Sequence, residues 1–308
     1  MSYFFIKDEF DVNKIDDNFI EISYNNKTTN LVANFYKGNP FPNYNDKENI
    51  FDLAEETLKN NFFRIFKKKV GFGKKIIEVG SGTSQLSITL AHATNNLVVA
   101  LDPTKNSLKL GYEFAKSNNI NNCHFVNSDI FLDPINKESF DLVWCSGVLH
   151  HTENPYKAFE IISKWIKPEG IIVIGLYNYY GRFFTVVRQK IFKIFGSRTL
   201  ARKLVAKLDP YLRSNISKAK KNAWFQDQYE HPVESLHTIG EVLNWFDDNN
   251  IEFLSSLPTS DFSDENLECM FEKNNRGTVF TRFFSELGML FTTYGKEGGL
   301  FLVIGKKK

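Results

Sequence analysis

From Lys74 onward the chain alternates short apolar runs with longer amphipathic stretches. Ile76 to Val79, Leu97 to Leu101, Cys123 to Val126, Phe140 to Cys145 and Ile171 to Leu176 are each apolar on both sides of the backbone, as strands covered on two faces must be. The intervening stretches have helical spacing, so the order strand, helix, strand predicts a doubly wound α/β sheet. Ile251 to Ser255 and Gly299 to Gly305 read as the sixth and seventh strands. A helix is expected from Ser235 or Thr238 through Asp247, another over Phe183 to Phe195, and one continuous cover helix over Phe51 to Lys69. Before it, residues 1 to 30 alternate aromatic runs with Asp and Asn and read as a short strand pair or an irregular arm. The prolines of Gly38 to Tyr44 enforce an extended turn.

The chemistry collects where the strands end. Glu78-Val79-Gly80-Ser81-Gly82-Thr83-Ser84-Gln85 closes the first strand with an acid and opens a helix through a turn whose glycines let the backbone bend and a ligand approach closely. A dinucleotide-binding turn needs a third glycine where this chain has Gln85. The second strand ends on Asp102, about twenty residues after the glycines, where a doubly wound sheet holds ribose hydroxyls. The third runs into Ser128-Asp129-Ile130, and the fourth into Ser146-Gly147-Val148-Leu149-His150-His151.

The acidic-x-Gly-x-Gly loop at Glu78, with these acids in sequence, resembles class I S-adenosylmethionine-dependent methyltransferases from Lys74 to Leu176. Ser84 stands where the family usually has a third glycine. The resemblance implies a seven-stranded, mostly parallel sheet of order 3-2-1-4-5-7-6 with an antiparallel last strand. It implies S-adenosyl-L-methionine as cofactor, held by Glu78, Gly80, Ser81, Gly82, Thr83, Asp102, Asp129, Ile130 and Ser146, with Asp129 at the adenine amino group. Tyr44 and Phe41 are candidates for the cofactor's amino acid end. The expected organisation is an arm and cover over 1–72, a cofactor-binding core over 73–177, an inserted basic lobe over 178–234, and the rest of the core over 235–308 with an insertion near 258–298.

Gly147 to Pro155, followed by Lys167-Pro168-Glu169-Gly170, resembles the branch containing small-molecule methylases. A similar stretch occurs in enzymes that modify the tRNA wobble uridine. The Asn/Asp-Pro-Pro-Tyr tetrapeptide of base-amine methylases is missing. His151 is the preferred base, since imidazole titrates near working pH; His150 either shares that role or caps its loop. Tyr177 completes the catalytic candidates, with Tyr179, Tyr229 and His231 as further pocket residues. No metal is expected, because Asp141 begins a strand, away from the other acids.

Charge narrows the partners. The chain carries +2 overall, yet Gly181 to Asn222 holds twelve Lys and Arg against Asp209 alone, net +11, which leaves −9 elsewhere. Such a lobe suits a small anionic or amphipathic acceptor, RNA, or an anionic membrane surface, or it merely exposes solvated lysines; no obligate protein partner is evident. The three cysteines are widely spaced, which excludes a disulfide framework. No apolar run is long enough to span a bilayer, so a cytoplasmic protein is expected. The leading reading is methyl transfer to a small acceptor; the alternatives are a tRNA methyltransferase and a noncatalytic cofactor-binding module.

Overall fold

The structure is a computed structural model that describes residues 4–37, 40, 44, 49–194, 198–214, 218–291 and 299–308. Its strands are β1 (Asn13–Asp16), β2 (Phe19–Glu21), β3 (Lys75–Val79), β4 (Leu97–Asp102), β5 (Cys123–Asn127), β6 (Phe140–Ser146), β7 (Ile166–Tyr177), β8 (Ile251–Leu257) and β9 (Leu300–Lys307). They form one sheet in the order β1-β2-β5-β4-β3-β6-β7-β9-β8. The expectation of seven strands is corrected to nine, and the overall order differs accordingly. The reason is the N-terminal arm: β1 and β2 form a hairpin, and β2 pairs parallel to β5, covering an edge that would otherwise expose unpaired amides. From β5 to β8 the order is β5-β4-β3-β6-β7-β9-β8, with β9 antiparallel to both neighbours.

Among the described residues twelve α-helices accompany the sheet: α1 (Lys27–Lys37), α2 (Ile50–Lys59), α3 (Asn61–Val70), α4 (Gln85–Ala91), α5 (Lys105–Ser117), α6 (Pro155–Ile162), α7 (Phe183–Ile194), α8 (Arg198–Leu208), α9 (Pro210–Arg213), α10 (Lys218–Phe225), α11 (Ile239–Asp248) and α12 (Val279–Gly288). Alternate strand residues face opposite layers. Ile77, Val99 and Val143 join Phe159 and Phe246 on one side; Ile76, Val98 and Leu142 join Phe66, Ile88 and Leu108 on the other. Both sheet faces are therefore buried, as the apolar runs require.

The single cover helix expected over 51–69 is two helices. Asn60 takes extended angles and its side chain accepts from Phe62 N, so it stops α2 and caps α3, the role short amides favour. Helix α1 replaces what was read as the end of an arm. Phe41 and most of the Gly38 to Tyr44 turn lie outside the described residues.

The basic lobe, α7 to α10, has a small core of its own around Val205, Leu212, Trp224, Phe225 and Tyr229. Its lone acid organises it. Buried Asp209 caps α9 through Tyr211 N and Leu212 N and accepts from Trp224 Nε1 and Tyr229 Oη at 3.0 and 2.6 Å.

Candidate active site

A cavity of 1040 Å3 opens along the carboxyl ends of the parallel strands. Glu78, Gly80, Ser81, Gly82, Asp102, Asp129, Ile130 and Ser146 line one end, and His151 and Tyr177 line another. Ten of the thirteen principal cofactor and catalytic candidates thus line one cavity. The other three are Thr83, Tyr44 and His150.

Each strand-end acid is held by backbone or hydroxyl donors. Glu78 accepts from Ser87 N and Ser87 Oγ at 2.8 and 2.5 Å, which ties β3 to α4. Asp102 accepts from Gly82 N at 2.8 Å on one oxygen and Thr104 N at 2.6 Å on the other, so it fixes the glycine loop over its own strand end. Asp129 accepts from Phe131 N and from Thr29 Oγ1 of α1. Burial raises the carboxyl of Glu78 to about 7 and that of Asp102 to about 6, and it also raises Asp129. Three desolvated acids around one space favour a ligand that brings cationic or hydrogen-bond-donating groups.

The loop itself is tightly fitted. Gly80 has φ +68°, and a Cβ there would meet Val148 at 2.2 Å. Ser84 adopts φ +63° without being glycine, a left-handed conformation that strains a residue with a side chain. Sequence reasoning passed over Gly111: a Cβ on that residue of α5 would come within 2.5 Å of the Thr83 carbonyl, so only glycine lets α5 back the loop this closely. Its signal was a glycine inside an otherwise good helical pattern.

Thr83 and Tyr44 sit behind the glycine loop. Thr83 is fully buried, and its carbonyl accepts from Tyr44 Oη at 2.6 Å while the Tyr44 ring stacks on Phe114 at 4.3 Å. Neither side chain lines the cavity. A tyrosine hydroxyl that reaches a backbone carbonyl satisfies itself there.

The two histidines separate. His150 is fully buried, packed on Tyr177 at 4.0 Å, with no partner for either ring nitrogen among the described residues. Burial, with His151 beside it, pushes its basicity far below that of ordinary imidazole. It neither reaches the cavity nor caps its loop through the ring; only its carbonyl is used, accepting from Ser235. His151 lines the cavity, and its Nδ1 lies 2.7 Å from the Val233 carbonyl. A carbonyl can only accept, so Nδ1 carries the proton and Nε2 keeps its lone pair. Burial, then neighbouring His231 at 3.6 Å between rings, holds His151 well below the usual imidazole range and therefore neutral.

Tyr177 belongs to a buried group that the sequence did not announce. Its hydroxyl accepts from Gln228 Nε2 at 3.1 Å, and the guanidinium of Arg182 lies 3.7 Å from its ring centre. Arg182 is fully buried and pairs with Glu234 and Gln228. It was counted with the surface charge of the lobe, which is corrected: Arg182 is internal, and Arg188 is engaged by Tyr229 Oη and Thr185 Oγ1. Trp224 and Gln228 carry the lobe into the cavity wall. Of the further pocket candidates, Tyr179 is exposed, Tyr229 serves the lobe core, and His231 stacks on His151. Phe62, Phe63, Trp144, Leu267 and Leu302 give the rest of the cavity an apolar wall.

A doubly wound sheet in which β3, β4 and β5 run into acids around a glycine turn defines a Rossmann-like nucleoside-binding protein. The methyltransferase domain family matches residues 71–249, more than half of the chain. The protein belongs to that family, the class I S-adenosylmethionine-dependent methyltransferases. It is 28% identical over 114 residues to the ubiquinone biosynthesis O-methyltransferase of Glaesserella parasuis serovar 5 (strain SH0165), covering 35% of this chain and 47% of that one. It is 25% identical over 160 residues to the ubiquinone/menaquinone biosynthesis C-methyltransferase of Blochmanniella pennsylvanica (strain BPEN), covering 49% and 60%. The chain spans about half the length of the curated relatives it matches. Among solved structures, PKMT2 from Rickettsia typhi is similar in fold, with a TM-score of 0.58 and 15% identity over 81% of this chain and 52% of that one. The same protein in complex with AdoHcy gives 0.54 and 15% over 75% and 48%.

Proposed function

We propose that the protein transfers the methyl group of S-adenosylmethionine to a small, largely apolar acceptor that carries one ionisable nucleophile. The observation that carries this reading is the continuity of the cavity. One space joins the three strand-end acids to His151 and Tyr177 and continues between Phe63, Trp144 and Leu302. Its 1040 Å3 slightly exceeds the range of about 300–1,000 Å3 typical of single-ligand pockets, which leaves room for an acceptor beside the cofactor.

In this reading Asp102 receives the ribose hydroxyls, Asp129 and Ile130 flank the adenine, and the Gly80 to Gly82 backbone receives the amino acid end. The fit is chemical: raised carboxyls gain donors and face a cationic sulfonium. When bound, the cofactor supplies an electrophilic methyl and a thioether leaving group.

The protein's residues supply alignment and a proton acceptor. Alignment of nucleophile and methyl accounts for about 7 kcal/mol in favourable cases by removing orientational freedom. His151 Nε2 accepts the acceptor's proton, its Nδ1–H staying on the Val233 carbonyl so that the ring does not turn. Arg182 holds Tyr177 from behind and so positions the wall; it does not touch the reacting atoms. The matched relatives named as methylating quinone precursors at oxygen or carbon suit such an acceptor.

The test is incubation with cofactor labelled in the methyl group and a fractionated cell extract. Label is expected in the small, organic-extractable fraction. Label only in protein or RNA, or none in any fraction, contradicts the reading.

A further inference from the structure

Helix α12 is amphipathic in the reverse sense. Its polar side chains face the protein: Glu286 accepts from Asn178 Nδ2 and Ile239 N, Ser285 donates to the Thr259 carbonyl, and Arg282 donates to the carbonyls of Arg276 and Gly277. The other side carries Val279, Phe280, Phe283 and Phe284, which are 73, 75, 40 and 51% exposed. A helix facing water places these groups the other way round.

The start of α7 continues the same ridge. Tyr180 meets Phe283 edge to face at 5.6 Å, and Phe183 and Phe184, in the next turn, are half exposed. Further along α7, exposed Val187 and Ile194 alternate with exposed Lys190 and Lys193. Single exposed apolar residues are ordinary; an aromatic ridge running into a cationic lobe is not.

We propose that this face docks on an anionic bilayer, with the phenylalanines of α7 and α12 in the headgroup boundary and the lobe's lysines over the lipid charges. Charge complementarity selects this occupant. Phenylalanines need an apolar layer and lysines need anions, and an anionic lipid surface offers both at once. A second copy brings the same lysines together, and RNA, whose bases can stack on the phenylalanines, offers no apolar layer to exposed Val279, Val187 and Ile194. Tyr177 of the cavity wall stands three positions before Tyr180 of the ridge. The docking does not depend on which acceptor is methylated.

The experiment is co-sedimentation of the full chain with phosphatidylcholine vesicles, with and without phosphatidylglycerol. The protein is expected to pellet only with the anionic vesicles and to be released by salt. The F280S/F283S/F284S variant should lose at least about tenfold in partition while its thermal unfolding stays unchanged. The K190E/K193E/K203E variant, which leaves the ridge intact, should lose the preference for anionic lipid. The proposal is overturned if the wild type ignores anionic vesicles, if neither variant changes partition, if RNA binds and vesicles do not, or if serine substitution dissociates a dimer seen by ultracentrifugation.

Discussion

Around Glu78, Asp102 and Asp129 the cavity wall comes from three strand ends that follow one another in the chain, and each acid is held by donors of neighbouring turns. Around His151 and Tyr177 the wall is completed by Trp224 and Gln228, and behind it Arg182, Val233 and Glu234 hold it in place, its buried charge paired within the protein. The first region keeps ionisable groups whose protonation a ligand can change. The second is neutral as a unit and acts through shape and one lone pair. Binding and chemistry are thus served by different electrostatics within one space.

The pairing in the second region is its most vulnerable feature. Arg182→Leu strands Glu234 and Gln228 beneath the Tyr177 ring, and losing one member of a buried pair costs about 3–5 kcal/mol. Urea unfolding should show that loss, with part of it recovered by adding Glu234→Gln. A change below about 1 kcal/mol would mean that the pair behaves like a surface one.

In the first region the largest effect is a pH dependence. The Glu78 carboxyl rises from an ordinary 4.5 to about 7 through burial. Below pH 4.5 folded and unfolded chains both hold its proton; as pH rises toward 7 the unfolded chain releases it first, so stability falls across that window. At 1.36 kcal/mol per unit the loss amounts to about 3 kcal/mol. Glu78→Gln, which keeps an acceptor for Ser87 N, should flatten the difference between unfolding curves at pH 5 and pH 7.5. Parallel pH profiles for variant and wild type would refute the burial argument.

His151→Gln separates the two regions by function. Turnover in the labelled-methyl assay should fall at least about 100-fold, while cofactor affinity is unchanged. Because His151 is held neutral, the wild-type acid limb from this group should lie below pH 6.5 and vanish in the variant. An equal loss of affinity and turnover would move His151 into the binding half. The smallest effect is expected at the loop: Ser84→Gly removes about 1–2 kcal/mol of left-handed strain and also the hydroxyl contact to Ser81 at 3.1 Å, worth about 1 kcal/mol. The net gain by thermal unfolding should be at most about 1 kcal/mol.

What the sequence made legible follows the same division. An acid at the end of an apolar run is a local pattern, so the strand-end positions of Glu78, Asp102 and Asp129 were legible, while their expected roles came from the family resemblance. The position of His151 beside the cavity was legible for the same reason, since it lies in the loop that leaves the end of β6. Arg182 was not: among eleven other basic residues of its segment, nothing local tells the buried one from the solvated ones, and Glu234 and Gln228 reach it from about fifty positions away. The hydrogen bond of Tyr44 to the Thr83 carbonyl and its stacking on Phe114 were not legible, because they join the N-terminal segment to the glycine loop and α5 across the fold. The hairpin at β1 and β2 was visible as a strand pair, but joining the edge of β5 is a tertiary event that no periodicity encodes. Asn60 could have been read as a helix stop from its type, and it was hidden by apolar spacing that continues across it.

The account rests on a nucleoside sugar held by an ionised Asp102, and titration calorimetry with S-adenosylhomocysteine tests this most directly. Ribose hydroxyls donate to the carboxylate, so binding favours the charged form, and affinity should fall as pH drops through about 6, the value to which burial raises Asp102. Asp102→Asn should weaken binding by about 1.5–3 kcal/mol, the range for hydrogen bonds to a charged group, and abolish that pH dependence. No heat with the wild type, or equal affinity in the folded asparagine variant, contradicts the account.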